Sequence, residues 1–204
     1  MTNKEIIASI IDKLDYIDPE TIPNIDLYMD QVTTFMDSNL QDSKRRSQDK
    51  ILTKTMINNY AKNNLLPPPI RKKYSKDHIL MLIFIYYLKN VLSINDIRTL
   101  LNPLSEKYFS SNSSTLSLEE IYKNIFQLES EQFNSLVKDV LKKFDRSKEM
   151  YADETDKDRE FLQTLSFVSM LSFDVYVKKQ MIERIIDEMH NDLQKESDPK
   201  KKNT

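Results

Sequence analysis

Apolar residues recur at helical spacing along most of the chain. The first pattern, from Ile6 to Leu14, predicts a short amphipathic helix over residues 3–15. Pro19 and Pro23 then interrupt the pattern. The same spacing predicts further helices over residues 26–40, 53–63 and 76–90, and another that begins near Ser93.

The second half of the chain also has helical periodicity. Ser117 and Glu120 form a capping-box pattern that predicts the start of a helix, and Ser130 is expected to cap a separate one. The charged stretch 145–159 is expected to be a connector. A long last helix is predicted over about residues 160–193, and the tail 195–204 is expected to be disordered.

Glycine and cysteine are both absent from the 204 residues. Phosphate-binding loops need glycine, so the common nucleotide-binding motifs are excluded. Disulfides, thiolate catalysis and cysteine-ligated metals are excluded as well. Turns must then rely on Asn, Asp, Ser and Pro, and Asn63 and Asn64 are expected to end the third helix in a left-handed conformation. These features predict an all-α fold.

The chain has no pattern typical of membrane insertion or export. Its longest apolar run covers residues 79–88, whereas a spanning helix needs about 20 residues. The N-terminus lacks the basic region and the cleavage site of a signal peptide. We therefore expect a cytoplasmic protein with no membrane partner.

Charge is strongly segregated although the net charge is only −2. Residues 44–76 contain ten basic side chains and one acidic side chain, Asp49, while the flanking segments are acidic. Such a cluster repels itself and is usually retained because a polyanion neutralises it. The alternative is a solvated cationic face that aids solubility.

The elements around this basic segment fit a helix-turn-helix followed by a wing. Helix 26–40 would give support, helix 53–63 would enter the major groove, and residues 69–74 would form a basic wing. Asn can contact adenine, and Lys and Thr can bind phosphates or bases. Taken alone, however, Asn58 and Asn59 are more typical of an ordinary polar helix surface. The predicted DNA-binding residues are Lys44, Arg45, Arg46, Thr53, Lys54, Thr55, Asn58, Asn59, Tyr60, Lys62, Arg71, Lys72, Lys73 and Tyr74.

Residues 52–101 resemble the MerR-type winged-helix pattern. In that pattern a recognition helix ending in tyrosine precedes a Leu-Leu-Pro turn, a basic wing and two further helix starts. The matching residues are Tyr60, Leu65, Leu66, Pro67, Arg71, Tyr74, Ser75, Leu92, Ser93, Ile94, Ile97 and Leu101.

The segment departs from the MerR-type pattern at several positions. Asn64 replaces the usual glycine, Asn58 and Asn59 replace the usual arginine and first tyrosine, and Met56 replaces the usual threonine. The polar stretch 41–50 is also longer than the usual turn between the first two helices. The resemblance therefore implies DNA binding but not a base preference.

The whole chain also resembles domain-of-unknown-function family 1836, a Firmicute family whose members are often labelled transcriptional regulators. This resemblance implies DNA binding without a mechanism. The corresponding domain organisation is an N-terminal helix and connector (1–24), a winged helix-turn-helix (25–102), a linker (103–116), a C-terminal helical bundle (117–194) and a disordered tail (195–204).

In MerR-like proteins the helix after the DNA-binding domain pairs two subunits. The resemblance therefore implies a possible homodimer through helix 160–193. Candidate contacts are Phe161, Leu165, Val168, Phe173 and Ile185. The apolar circumference of this helix is wider than a two-stranded coiled-coil seam, which favours packing inside a bundle. Tyr122, Phe126, Phe133 and Phe144 could line a ligand pocket, but we expect them to be core.

The sequence gives little indication of an enzyme. His78 is expected at the surface in the first turn of a helix, and His190 near a helix end. Neither has a partner at ligand or triad spacing, so we expect no catalytic residue, metal or cofactor. The leading hypothesis is a sequence-specific transcriptional regulator that binds double-stranded DNA. The alternative is a helical protein-interaction adaptor whose basic segment binds an acidic partner.

Overall fold

The computed structural model describes residues 3–11, 17–110 and 115–197. Within them the chain is mainly helical, with one two-stranded antiparallel sheet, which confirms the all-α prediction. The α-helices are α1 (Asn3–Ile11), α2 (Met29–Leu40), α3 (Lys54–Lys62), α4 (Lys76–Leu88), α5 (Ile94–Tyr108), α6 (Leu118–Lys148) and α7 (Asp156–Ser197). The strands are β1 (Leu27–Tyr28) and β2 (Lys73–Tyr74), and short 3-10 helices occupy Pro19–Thr21 and Gln41–Ser43.

The start of the second helix differs from the prediction. Residues 27 and 28 were expected to be helical, but Leu27 pairs with Tyr74 and Tyr28 with Lys73 in the small sheet. Leu27 is buried by this pairing, so α2 begins only at Met29. The predicted end of the first helix, at residue 15, lies outside the described residues.

Two predictions for the second half of the chain are wrong. The two helices predicted around Ser130 are a single helix, α6, because the residues around Ser130 continue the helix instead of capping a new one. The connector is limited to residues 149–155. Its end is fixed by Arg159, whose guanidinium donates to the carbonyl oxygens of Tyr151, Ala152 and Glu154, and Thr155 caps the start of α7.

Helix α7 therefore runs over residues 156–197 and not over 160–193 as predicted. It includes residues 195–197, which the sequence assigned to the disordered tail, and residues 198–204 lie outside the described part. Every helix in the described parts of the chain is too short or too polar to span a membrane.

Backbone contacts divide the chain into two compact units. The larger unit contains residues 15–125 and 183–204, and the smaller unit contains residues 1–14 and 126–182. Helices α6 and α7 each contribute to both units. The domain boundaries proposed from the sequence stay a prediction.

Helix α4 is the core of the larger unit. Its residues 78–86 are all buried, so the helix is covered on every side. Side chains from α2, α3, α5 and the start of α6 contribute to the same core: Val32, Met36, Ile57, Ile97 and Tyr122. The Tyr122 hydroxyl donates to the Ile17 carbonyl over 2.7 Å, and its ring meets Phe84 edge to face. Tyr122 and Phe126 are buried, as predicted.

The core of the smaller unit is thinner. Phe144 of α6 meets Phe167 of α7 edge to face, with ring centroids 5.4 Å apart. The buried Gln163 donates to the carbonyl oxygens of Lys148 and Met150 and so satisfies backbone acceptors at the end of α6. Lys143 and Asp174 add an ion pair of 2.6 Å between the two helices.

Candidate nucleic-acid interface

Helix α3 is defined by local signals at both ends. The Thr53 hydroxyl accepts a hydrogen bond from the Met56 amide over 3.1 Å, which caps the N-terminus. At the other end Asn64 has a φ of 55°. The amides of Leu65 and Asn64 donate to the carbonyls of Tyr60 and Ala61, the hydrogen-bond pattern of a Schellman motif. The predicted left-handed asparagine is therefore confirmed at Asn64.

The two faces of α3 differ sharply in exposure. Ile57 and Tyr60 are buried against the rest of the larger unit. The exposed residues are Lys54, Thr55, Asn58, Asn59 and Lys62. Four of these follow the spacing of one helix face, at positions 55, 58, 59 and 62. The outward polar stripe predicted from the sequence is therefore uncovered within the described part of the chain.

Two predicted site residues, Tyr60 and Tyr74, lie in the core. Their side chains are buried, and burial raises the pKa of each hydroxyl, which keeps both neutral. Tyr74 packs edge to face on the His78 ring. The geometry gives these tyrosines a packing role beneath the candidate interface, whereas the sequence grouped them with the contact residues.

The wing, residues 69–74, contains a tight hairpin turn. Ile70 and Lys73 exchange two backbone hydrogen bonds, of 2.9 and 3.1 Å. Between them Arg71 and Lys72 have φ values of 50° and 63°. Positive φ at both central residues is the mark of a type I′ turn, which normally contains Asn and Gly. This turn instead presents two exposed cations, in a conformation that costs roughly 1–2 kcal/mol per residue for side chains with a Cβ.

The cations of the basic segment, residues 44–76, differ in how they are paired. Lys44 binds Asp37 over 2.7 Å, and Lys54 binds Asp30, so both acids come from α2. The Lys73 ammonium lies over the Tyr28 ring, 5.2 Å from its centroid. Among the described residues, an acidic side-chain partner is missing for Arg45, Arg46, Lys62, Arg71 and Lys72.

These contacts bring the wing and α3 to the same end of α2. Tyr28 and Asp30 are two residues apart at the start of that helix. Tyr28 holds Lys73 of the wing, and Asp30 holds Lys54 in the first turn of α3. An open groove along α2 also brings Lys44, Thr53, Lys54 and Thr55 together. These contacts bring Lys44, Thr53, Lys54, Thr55 and Lys73 together around α2, and the assignment of the remaining predicted residues to the same surface stays a prediction.

Helix α4 anchors the loop that precedes α3. The Lys89 ammonium donates to the Ile51 carbonyl over 2.7 Å and lies over the Tyr86 ring. Burial lowers the pKa of Lys89. The Tyr86 hydroxyl is hydrogen-bonded to the Ser43 hydroxyl. These anchors could not be predicted from the sequence, because their partners lie about 40 residues away along the chain.

The expected surface position of His78 is wrong. Only 1% of this residue is exposed. Its Nδ1 accepts the Ser75 amide over 3.0 Å, so the ring folds back over the first turn of α4 and packs between Tyr74 and Phe109. A capping-box reading of Ser75 and His78 could have found this position, since the third helical residue commonly reaches back to the N-cap amide.

Comparison with known proteins gives a family but no individual relative. No curated protein and no solved structure matches the sequence. Residues 17–125, just over half of the chain, match a family described as Domain of unknown function (DUF1836). That match includes the whole candidate interface and all of α4. The chain therefore belongs to the DUF1836 family.

Proposed function

We propose that the protein is a sequence-specific DNA-binding transcriptional regulator. The proposal depends above all on one observation: α3 has an uncovered polar stripe, and the segments that precede and follow it in the chain carry exposed cations, Arg45, Arg46, Arg71 and Lys72, that have no acidic partner among the described residues. A face of this kind attracts a polyanion and offers hydrogen-bonding groups at its centre. The arrangement also resembles the MerR-type winged helix, whose wing follows the recognition helix.

The dimensions of α3 suit the major groove of B-DNA. The helix has nine residues, and an α-helix with its side chains is about 10–12 Å across. The major groove is about 12 Å wide and admits one helix. In this arrangement the side-chain amides of Asn58 and Asn59 read base edges. Lys62, Arg45 and Arg46 hold phosphates on either side, and Arg71 and Lys72 contact the backbone from the wing.

Selection of binding sites from a random duplex library tests the proposal. The purified full chain should enrich defined sites, and its log affinity should fall linearly with log salt concentration. Changing Arg71, Lys72 and Lys73 together to Ala should weaken binding to all sequences and reduce the salt slope by up to about 3. Asn58→Ala should change the selected sequence more than the total affinity.

A matched control for the triple change uses three exposed lysines of the smaller unit, Lys138, Lys142 and Lys178. Their replacement by Ala removes the same charge and should leave the salt slope unchanged. Failure to select any site, with duplex DNA bound no better than heparin, would favour the alternative proposal. In that case the protein is an adaptor whose cationic face binds an acidic protein.

We also propose that the partner of α7 is a second copy of the chain. Helix α7 was expected to pack inside a bundle, but Phe161, Leu165 and Val168 are 65%, 49% and 51% exposed. Phe173 and Ile185 are exposed as well. The first three, with Val175, share the face turned away from Gln163 and Phe167, which pack on α6.

This apolar face has the dimensions of a helix-pairing surface. It extends from residue 161 to residue 182, about 32 Å along the helix, and is interrupted by Ser172 and Lys179. Exposed apolar surface of this extent is unusual for a monomer. Pairing of two copies would also supply two DNA-binding surfaces for a two-fold symmetric DNA site.

A further inference from the structure

The base of the wing is attached to α4 through one buried side chain. His78 Nε2 lies 3.4 Å from the carbonyl oxygen of Pro68, one residue before the wing. On the opposite side of the ring, Nδ1 accepts a hydrogen bond from the amide of Ser75, which follows the wing, and lies 2.8 Å from the Ser75 hydroxyl. The ring therefore joins the two ends of the wing to each other.

These contacts fix the protonation state of His78. Because Nδ1 accepts the Ser75 amide hydrogen, it carries no proton, and the single ring proton is on Nε2, directed at Pro68. A second proton on Nδ1 would face the Ser75 N–H and abolish that bond. The Nε2–H can donate to Pro68 in either protonation state, so the bond from the Ser75 amide is the contact that requires the neutral ring.

Burial lowers the pKa of His78, and the polar groups around the ring act in the opposite direction. Asp77 and Asp26 favour the protonated ring, and so does the Pro68 carbonyl. Asp77 also accepts the Ser110 amide over 2.7 Å. Tyr74, from β2, is neutral, and Phe109 closes the other side. Burial has the largest effect and lowers the pKa of His78 below its usual 6.5.

We infer that His78 is a positioning residue that holds the wing in place while its ring is neutral and releases the wing when the ring takes up a proton. A protonated ring leaves its apolar enclosure for water, and its contacts with Ser75 and Pro68 are lost with it. Arg71 and Lys72 are then no longer held at a fixed distance from α3. The consequence for DNA rests on the proposed function, whereas the release of the wing does not.

The direction of the pH effect follows from proton uptake. A lowered pKa means that the folded protein binds fewer protons than the unfolded chain below about pH 6.5. Stability therefore falls as the pH drops through that range, and the released form becomes populated. When half of the molecules are protonated, the apparent affinity of a site that needs the fixed wing falls about twofold.

The experiment uses the full chain and compares wild type with His78→Gln and His190→Gln. The sequence has only two histidines, so each variant removes one of them. Gln at position 78 can still accept the Ser75 amide, as in ordinary capping boxes, but does not titrate. NMR would follow the amides of Arg71, Lys72 and Lys73 from about pH 7.5 down to the lowest pH at which the chain stays folded, because burial holds the pKa of His78 below the usual range of histidines.

The wing amides of wild type and His190→Gln should titrate with the midpoint of the His78 ring, and those of His78→Gln should not. Selected DNA should lose about twofold or more in affinity over the same range in the first two proteins only. If His78→Gln does not fold, the coincidence of ring and wing midpoints in wild type decides the question.

Wing amides that stay constant while the ring titrates would overturn the inference, and so would wing amides that titrate identically in His78→Gln. A wing that follows His78 in a protein that selects no DNA would leave the inference standing and refute the proposed function.

Discussion

Two helices of this protein are rich in apolar residues, and their surroundings differ. Helix α4 buries every residue from 78 to 86, because α2, α3, α5 and the start of α6 cover it from all sides. Helix α7 is packed on α6 along one side and leaves large apolar side chains such as Phe161 and Phe173 about two-thirds exposed. An apolar helix becomes core only where the same chain supplies enough surface to surround it.

The same contrast separates the two units. The larger unit encloses α4 from residue 78 to residue 86 and leaves Lys62, Arg71 and Lys72 exposed without an acidic partner among the described residues. The smaller unit pairs Lys143 with Asp139 and Asp174 and leaves apolar residues uncovered. Under the proposed function, these surfaces take different partners: a polyanion for the first and an apolar helix for the second.

The largest expected effect is on stability, in the core of the larger unit. Leu82→Ala, in the middle of α4, should lower the free energy of unfolding by about 2–5 kcal/mol, because it leaves a cavity in a fully covered helix. The same change at Leu165 of α7, which is 49% exposed, should alter it by about 0.5 kcal/mol or less. Urea denaturation at low protein concentration measures both. Equal losses would show that the contrast between the helices is wrong.

The second prediction concerns self-association. Val168→Asp places a charge at the centre of the uncovered face of α7, and burying that charge would cost several kcal/mol. Analytical ultracentrifugation should show a dimer for wild type and a monomer for the variant. Leu128→Asp, at an exposed apolar position of α6, is the matched control and should remain dimeric. A monomeric wild-type chain at all concentrations would rule out the second copy as partner.

The third prediction is that one change in the wing raises stability and lowers DNA affinity. Replacing Arg71 by Asn and Lys72 by Gly supplies the residues that a type I′ turn prefers, so the free energy of unfolding should rise by about 1 kcal/mol. DNA affinity should fall, and the salt slope should decrease by about 2. The control, Gln at both positions, should lose the same affinity without the gain in stability. Unchanged affinity in both variants would remove the wing from the interface.

The smallest expected effect tests the acids of α2 that pair with the basic surface. Asp30→Asn releases Lys54 from an ion pair in which both side chains are mostly exposed. Exposed pairs contribute at most about 1 kcal/mol, so DNA affinity should rise by up to about fivefold with little change in stability. Asp42→Asn makes the same change in net charge at another exposed acid. A similar gain in both variants would mean that only the overall field matters.

Local sequence signals allowed much of the segment from α2 to α5 to be predicted. Helix α3 was expected within one residue at each end because Thr53 and Asn64 cap it through bonds to neighbours in the chain. The long α6 was missed because Ser130 is a residue type that can cap a helix but does not have to. Whether Ser130 starts a new helix depends on the surroundings of the preceding turn, which the sequence does not show.

The candidate interface shows the same division. Its exposed stripe was predicted from helical spacing alone, and its anchors were not. His78 reaches Pro68 ten positions away, and Lys89 reaches Ile51 at a distance of 38 positions. Tyr60 and Tyr74 were assigned to the contact surface because they belong to the predicted recognition helix and the predicted wing, but both are buried.

The sequence by itself determined the positions of most helices, the left-handed Asn64 and the concentration of positive charge in residues 44–76, because each depends on residues within one or two turns of one another. The tertiary structure alone decided which cations Asp30 and Asp37 neutralise, that His78 is enclosed, and that α7 keeps an apolar face open. Pairing and burial depend on which distant segments meet, and periodicity along the chain carries no information about that.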